Sequence, residues 1–313
     1  MGRVRVIFMG TPAFAVPSLK ALIDAGFEVR AVVTQGDKPR GRGLAPLPSP
    51  VKCEALKHGI EVLEPVKASH PGFIDRLKAL SPDFIAVVAY GKILPQAILD
   101  IPPKGCVNLH ASLLPKYRGA APINWAIING DKEAGVTTML MDKGMDTGAM
   151  LLKEKTAIGA DDTAEDLFKR LSGIGAPLLV RTLEELWLDR IEPVPQDDNE
   201  ATYAPMLKKE DGRVDWNKGA QDIKNLARGL YPWPGAYTYW NEKVLKIHAG
   251  KADPAVIGAP APGTVAGVSK EDISVACGKG VFRITELQPE NKRRMTAGEF
   301  AQGYRIKAGE RFV

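Results

Sequence analysis

The chain is 313 residues long, 45% hydrophobic and 25% charged, with a formal net charge of +5, enough apolar material for one large or two moderate cores and too much for a disordered chain. No apolar run reaches the roughly 18 residues a membrane span needs, and the N-terminal "MGRVRVIFMG" is too short and strand-like for a signal peptide, so a cytoplasmic protein of two domains is expected. Cys53, Cys106 and Cys277 lie far apart with no CxxC spacing, which excludes a disulfide framework and a cysteine-held zinc and leaves buried thiols as the expectation.

From the N-terminus, "RVRVIFMG" reads as a short buried strand and "VPSLKALIDAG" as a helix stopped by Gly26. The order then repeats. "FEVRAVVTQ", "IEVLEPV", "DFIAVVAY" and "GCVNLHAS" are strand-like, with "SPVKCEALKHG" and "PGFIDRLKAL" helical between them. Strands separated by short helices imply right-handed crossovers and a parallel, doubly wound α/β sheet of Rossmann-like kind. "AGVTTMLMD" and "GAMLLKEKTAI" follow as two β-like runs, and a long helix lies within "TAEDLFKRLSGIGAPLLVRTLEELWLD".

The proline-rich, acidic "RIEPVPQDDNEATYAPM" reads as an interdomain linker. Beyond it, short β-like runs ("AYTYW", "KVLKIHAG", "GTVAGV", "DISVACG", "GVFRITELQ") between Gly, Pro and polar turns predict a small antiparallel β-barrel, OB-like in character. The expected partition is residues 1–190, a linker at 191–208, and the barrel at 209–313. Charge divides the same way: residues 1–208 hold 25 Lys/Arg against 25 Asp/Glu, while 209–313 hold 17 against 12, so the whole excess of +5 sits in the last third.

The first turn, "MGTPAFAVPS", stands where a dinucleotide fold carries G-x-G-x-x-G. Only Gly10 is present, and Pro12 removes a backbone N–H, which argues against a pyrophosphate site. After the second strand, "VVTQGDKPRGRGLAPLPSP" places Lys38, Arg40 and Arg42 among glycines and prolines. A long irregular loop of this kind is either a solvated surface or a basic arm that meets phosphates, and the arm is the reading adopted.

In "GCVNLHAS", period-two alternation puts Asn108 and His110 on one face at the C-terminal end of a strand, where open α/β sheets hold ligands. A lone histidine there would as readily be structural; a same-face Asn/His pair favours function. Asp142 and Asp146 in "MDKGMDTGAM" lie in a glycine-containing turn, and one or both can project to the sheet's edge, although Asp142 is equally suited to cap the turn. A carboxylate near the histidine would orient the ring and favour its charged form. Asn, His and Asp with no Ser or Cys nucleophile fit direct attack of an amine on an activated carbonyl, with Asn108 and His110 holding the oxyanion and Asp146 taking part in proton removal.

These residues also carry a family resemblance. "GTPAFAVPSL", the "GRG" loop leading into "PSPVK", "YGKILP", "NLHASLLPKYRGAAPI", "MDKGMDTG" and "YPWPGA" occur in order over nearly the whole chain. Together they resemble the folate-dependent formyltransferases, in particular the branch that formylates methionyl initiator tRNA. Two positions depart from that pattern: Leu44-Ala45 follow "GRG" where relatives often carry lysines, and Lys116-Tyr117 stands for Arg-Trp.

The resemblance implies formyl transfer from 10-formyltetrahydrofolate to the α-amino group of the methionyl tRNA, with no metal; a cytoplasmic monomer is expected, because one polypeptide holds both the chemistry and the basic surface. It implies the catalytic trio Asn108, His110 and Asp146. The folate would lie against Tyr90, Gly91, Lys92, Ile93 and Leu94 and the turn Ser112, Leu113, Leu114, Pro115, whose apolar side chains would enclose the pterin. The tRNA would meet Lys38, Arg40, Arg42 and the basic C-terminal domain. Rival readings are a formyltransferase acting on an amino-sugar nucleotide, a formyltetrahydrofolate hydrolase, and a noncatalytic RNA-binding module.

Overall fold

A computed structural model describes residues 3–39, 46–254 and 260–313. Strand β1 (Arg5–Gly10) is buried from Val6 onward, as its unbroken apolar run requires, and leads into α1 (Val16–Asp24), which has a proline in its first turn. Strand β2 (Glu28–Val33) and the two-residue β3 (Lys38–Pro39) and β4 (Pro46–Leu47) precede α2 (Pro50–Lys57). Ser49 caps α2 by accepting from Lys52 N at 3.0 Å. Next come β5 (Val62–Leu63), α3 (Pro71–Ala79), β6 (Phe84–Val88), α4 (Gln96–Leu99) and β7 (Cys106–His110). The chain continues through β8 (Arg118–Gly119), α5 (Pro122–Ile128), β9 (Glu133–Leu140), β10 (Met150–Ala157) and the long α6 (Ala164–Trp187).

Strand β11 (Tyr203–Ala204) and α7 (Ala220–Gly229) come before β12 (Ala236–Trp240), β13 (Lys243–Asp253), β14 (Val265–Val268), β15 (Ile273–Ala276), β16 (Val281–Pro289) and β17 (Met295–Thr296). The last helix, α8 (Ala297–Tyr304), opens on a reciprocal Thr296/Glu299 capping box.

Two compact units emerge. One comprises Met1–Gly119, Glu133–Thr156 and Phe168–Tyr203; the other comprises Ala120–Lys132, Ala157–Leu167 and Ala204–Val313. Both are discontinuous in sequence, unlike the continuous 1–190, 191–208 and 209–313 division.

The first unit is built on a seven-stranded sheet of order β10-β9-β7-β6-β1-β2-β5. The five strands from β5 to β7 run parallel and β9 is antiparallel to β7. The order reverses at β1, with β2 and β5 to one side and β6 and β7 to the other, which is the doubly wound arrangement expected. Cys106 and Cys277 are buried as expected, whereas Cys53 on the outer side of α2 is exposed, because its helical position falls between the buried Val51 and Ala55.

The second unit contains an antiparallel sheet of order β12-β13-β16-β15-β14, with β17 on β16. The C-terminal tail joins its two edges: Val313 exchanges backbone hydrogen bonds with Tyr239 of β12 at 2.9 and 3.0 Å, while Val265 N of β14 donates to Glu310 O at 2.8 Å. Two otherwise open edges are thereby paired. The core inside is made by Trp216, Ile223, Leu245, Ile247, Phe282, Ile284, Leu287, Phe300 and Phe312. Among the described residues no helix is long and apolar enough to cross a membrane.

Candidate active site

Strand β7 pairs with β6 on one side (Val87 opposite Asn108) and β9 on the other (Asn108 opposite Met139, His110 opposite Thr137). Cys106, Val107 and Leu109 bury into the sheet, leaving Asn108 half-buried and His110 only 6% exposed at the strand's C-terminal end. The Asn108 amide has no hydrogen-bond partner among the described residues, so its N–H₂ is available to a ligand.

His110 Nδ1 lies 3.6 Å from Asp146 Oδ2, an ion-pair distance longer than a hydrogen bond. On the other side of the ring, Nε2 lies 2.9 Å from the Tyr117 carbonyl. A carbonyl can only accept, so Nε2 carries the proton in this contact, and the ring donates to both neighbours only as imidazolium. Asp146 Oδ2 also accepts from Gly119 N at 2.9 Å. Asp146 sits at φ +57°, in the left-handed region that aspartate tolerates better than most residues. The pairing over 36 positions of chain is thus made by a turn, with Asp142 in a different role: its Oδ1 accepts from Gly144 N at 2.9 Å and Thr147 Oγ1 at 2.7 Å, capping that turn.

Several supporting residues have no counterpart in the sequence expectations. Thr137, fully buried on β9, donates to Ser112 O at 2.7 Å and accepts from Leu114 N at 3.1 Å, fixing the Ser112–Pro115 turn. Lys153 of β10 donates to Leu114 O at 2.6 Å, and desolvation draws its ammonium below the ordinary lysine value, with Glu200 pulling the other way. The stretch expected to be a linker packs onto this unit. Tyr117 N donates to Thr202 Oγ1 at 2.9 Å and Arg118 N to Thr202 O at 2.8 Å. The Arg118 guanidinium, 2% exposed, donates to Gln196 Oε1 at 3.0 Å and Asp198 Oδ1 at 2.8 Å. Arg118 stands within "KYRGA", but its burial, which obliges the guanidinium to find partners, leaves no mark in the sequence.

The expected folate-facing residues divide into two groups. Tyr90 and Leu94 are buried in the same apolar cluster as Ile7, Met9 and Ile98, and Leu114 is buried too, whereas Ile93 is 89% exposed. The Tyr90 hydroxyl has no partner among the described residues, and burial raises its pKa. Tyr90 O accepts from Gln35 Nε2 at 2.8 Å, next to Gly91, where φ is +77° and a Cβ would meet Gln35 Nε2 at 2.7 Å. Lys92 Nζ is bonded to Pro65 O and Val66 O at 2.8 and 3.0 Å. In the Ser112–Pro115 turn the Ser112 hydroxyl donates to Lys116 O at 2.6 Å and most backbone groups are internally satisfied. The main chain of Lys92–Leu94, by contrast, makes no hydrogen bond among the described residues. Of the basic loop, Lys38 begins β3, while Arg40 and Arg42 lie outside the described residues. Among the described residues no three His, Cys, Asp or Glu side chains are grouped to hold a metal ion.

The family model described as formyl transferase matches residues 3–183, and that described as formyl transferase, C-terminal domain, matches residues 206–305. A methionyl-tRNA formyltransferase of Citrifermentans bemidjiense is 52% identical over 309 residues, covering 99% of this chain and 96% of its own. One of Caldanaerobacter subterraneus is 52% identical over 307 residues, covering 98% and 99%. In three dimensions, an N-formyltransferase of Helicobacter canadensis, solved with folinic acid and dTDP-3-aminofucose, superposes with a TM-score of 0.67 at 19% identity, covering 93% of this chain and all of that one; at that identity the likeness speaks for the fold alone. Half-identity to curated enzymes of one name along almost the full length, together with matches to both formyl transferase domain models, means that the chain belongs to the methionyl-tRNA formyltransferase family of folate-dependent one-carbon transferases.

Proposed function

We propose that this chain transfers the formyl group of 10-formyltetrahydrofolate to the α-amino group of methionyl initiator tRNA, by direct attack of the amine on the formyl carbon. The observation that carries the reading is the convergence of Asn108, His110 and Asp146 at the end of β7, with His110 and Asp146 in ion-pair contact.

In this mechanism the neutral amine forms a C–N bond to the formyl carbon, and the carbonyl oxygen becomes a tetrahedral oxyanion. The Asn108 amide N–H donates to it. His110 supplies a second donor: its Nε2 proton, held on the neutral Tyr117 carbonyl in the free protein, exchanges that acceptor for a developing anion, an interaction stronger in the transition state than in the ground state. Asp146 accepts the proton the attacking nitrogen must lose and passes it, directly or through water, to the folate nitrogen as the second C–N bond breaks. The step needs no metal.

The exposed Ile93 and the unbonded main chain of Lys92–Leu94 support a pterin edge read by backbone groups. Tyr90, Gly91, Leu94, Leu113, Leu114 and Pro115 complete the apolar wall, with Ser112 holding its turn. Lys38, Arg40 and Arg42 reach the acceptor end of the tRNA, and the +5 excess of residues 209–313 meets its phosphates. Residues 1–190 carry the chemistry and 209–313 the nucleic-acid surface, with Gln196, Asp198 and Thr202 of the connecting stretch bonded to the Arg118 region, within a cytoplasmic monomer.

The deciding experiment supplies 10-formyltetrahydrofolate with methionyl-tRNA, with an amino-sugar nucleotide, or with water alone. Formylation of the tRNA at a rate well above the other two is the expected result; preferential formylation of the sugar nucleotide, or hydrolysis without transfer, would overturn the proposal.

A further inference from the structure

The contacts around His110 and Asp146 come from one short segment. The Tyr117 carbonyl takes the histidine's Nε2, and the Gly119 N–H takes the aspartate's Oδ2. Residues 117–119 therefore form a backbone bracket across the pair, and whatever fixes that bracket relative to the Asp146 turn fixes the distance between the two side chains.

One side chain contacts both. Gln196 accepts from Arg118 Nε at 3.0 Å through Oε1 and donates through Nε2 to Asp146 O and Gly148 O, each at 2.8 Å. Two carbonyls on one side and a guanidinium on the other leave no ambiguity in the orientation of the amide. The buried Arg118 is held further by Asp198, and its own N–H by Thr202 O at 2.8 Å. The bracket and the turn, 27 positions apart between Gly119 and Asp146, meet directly in one backbone-to-carboxylate hydrogen bond and are tied a second time through this amide.

We infer that Gln196 is a positioning residue for the formyl transfer: working with Arg118, it locks the Asp146 turn to the Tyr117–Gly119 bracket and so sets the His110–Asp146 geometry. The inference rests on the catalytic reading of Asp146 above. Its chemistry is specific to a primary amide. A carboxylate at 196 would keep the Arg118 partner but turn an anion toward two carbonyls, and a thioether of similar length would keep the volume and lose all three hydrogen bonds.

The test is steady-state formylation of methionyl-tRNA with Gln196→Met and Gln196→Glu, each made in the parent and in an Asp146→Ala background, with thermal unfolding recorded for all. Displacing a reacting group by as little as about 1 Å can cost on the order of 10²-fold. Both variants are therefore expected to lose about 10- to 100-fold in kcat with both KM values within about threefold. In the Asp146→Ala background the same substitutions should cost less than about threefold, because the group they position is gone. Equal fold-losses in both backgrounds, full kcat in Gln196→Glu, or a loss that simply follows a collapse in unfolding temperature would each overturn the positioning role. Parent-like turnover in Asp146→Ala alone would instead overturn the catalytic reading on which it rests.

Discussion

Replacing Asp146 by Asn tests the proposed proton path with the least change in shape. Asparagine keeps an acceptor for Gly119 N, which Asp146 now satisfies at 2.9 Å. With that bond kept, the amide oxygen takes the place of Oδ2, the same atom that faces His110 Nδ1 at 3.6 Å, so the contact survives without its negative charge. The ring then faces a neutral oxygen instead of a carboxylate, and an amide is no base for the amine's proton. Two unit charges at that separation attract by about 4–5 kcal/mol at an effective dielectric of roughly 20. That is an upper limit, since both side chains retain some exposure, 7% and 17%. Losing about 3–4 kcal/mol of it in the transition state lowers kcat about 10²- to 10³-fold. The assay is single-turnover transfer from 10-formyltetrahydrofolate to saturating methionyl-tRNA, with KM for both substrates measured separately and expected to stay within about threefold. A kcat within about fivefold of the parent, or a loss confined to KM, would refute the relay.

Asn108→Ala removes the other oxyanion donor and should lower kcat by about 10²- to 10³-fold with folate KM nearly unchanged; a purely KM effect would make Asn108 a binding group instead. Thr137→Val leaves Leu114 N and Ser112 O without their buried partner, so denaturant unfolding should show a loss of about 1–3 kcal/mol and folate KM should rise more than kcat falls; an unchanged midpoint would mean the turn does not depend on this hydroxyl. Asp83 accepts from Arg5 N, Nε and Nη2 at 2.8, 3.1 and 2.7 Å, and the guanidinium hydrogen bond holds its carboxyl below the usual carboxylate range. A carboxyl depressed in the folded state stabilises fully above its unfolded value near about 4, and that stability is lost as pH falls through the folded value. Asp83→Asn should therefore unfold more easily at neutral pH, with the gap to the parent closing below about pH 4; a gap independent of pH would remove the charge from the explanation. Arg42→Ala should weaken tRNA binding, leave folate binding unchanged, and lower the salt slope of tRNA affinity by about 1; an unaltered slope would take this side chain off the phosphates.

Local periodicity made the sheet legible. The apolar runs at β1, β6 and β7 and the alternation that puts Asn108 and His110 on one face are properties of a few consecutive residues, and a period of two fixes which side chains share a face. The partner of His110 is of another kind. It reaches the ring through the turn between β9 and β10, so no local period records that Asp146 pairs with the ring while Asp142 caps the turn. Gln196 was hidden for the opposite reason: its neighbours Pro193, Pro195 and Asp197 give it the composition of a linker, and composition does not report that a single amide is bonded to Arg118 and to two carbonyls of the Asp146 turn. In the C-terminal unit the β-runs were legible. The tail that pairs both sheet edges was not, because Glu310–Val313 is too short to show a pattern.

In the proposed mechanism the chemistry of this Rossmann-like sheet gathers at the end of β7 and not at the turn after β1. In dinucleotide-binding sheets the first turn offers unpaired N–H groups to a pyrophosphate, and its glycines let the phosphate approach. Here Gly10 serves packing: a Cβ would meet Ala15 Cβ at 2.8 Å and Val88 O at 2.9 Å. Pro12 has no N–H to offer, and its carbonyl takes the N–H of Ala15 at 3.0 Å in a short turn of 3-10 helix that buries Phe14 and Ala15. With Pro12 lacking an N–H and Gly10 closed in by its neighbours, the turn lacks the close backbone approach that a pyrophosphate site needs. The strands on the far side of the reversal at β1 end differently. Among the described residues the main chain after β6 is unbonded at Lys92–Leu94 and the Asn108 amide near the end of β7 is unpaired, so open hydrogen-bonding capacity follows two neighbouring strands, one of which carries His110. The position that holds a phosphate in dinucleotide-binding sheets is here given over to packing Gly10 against Ala15 and Val88 of β6.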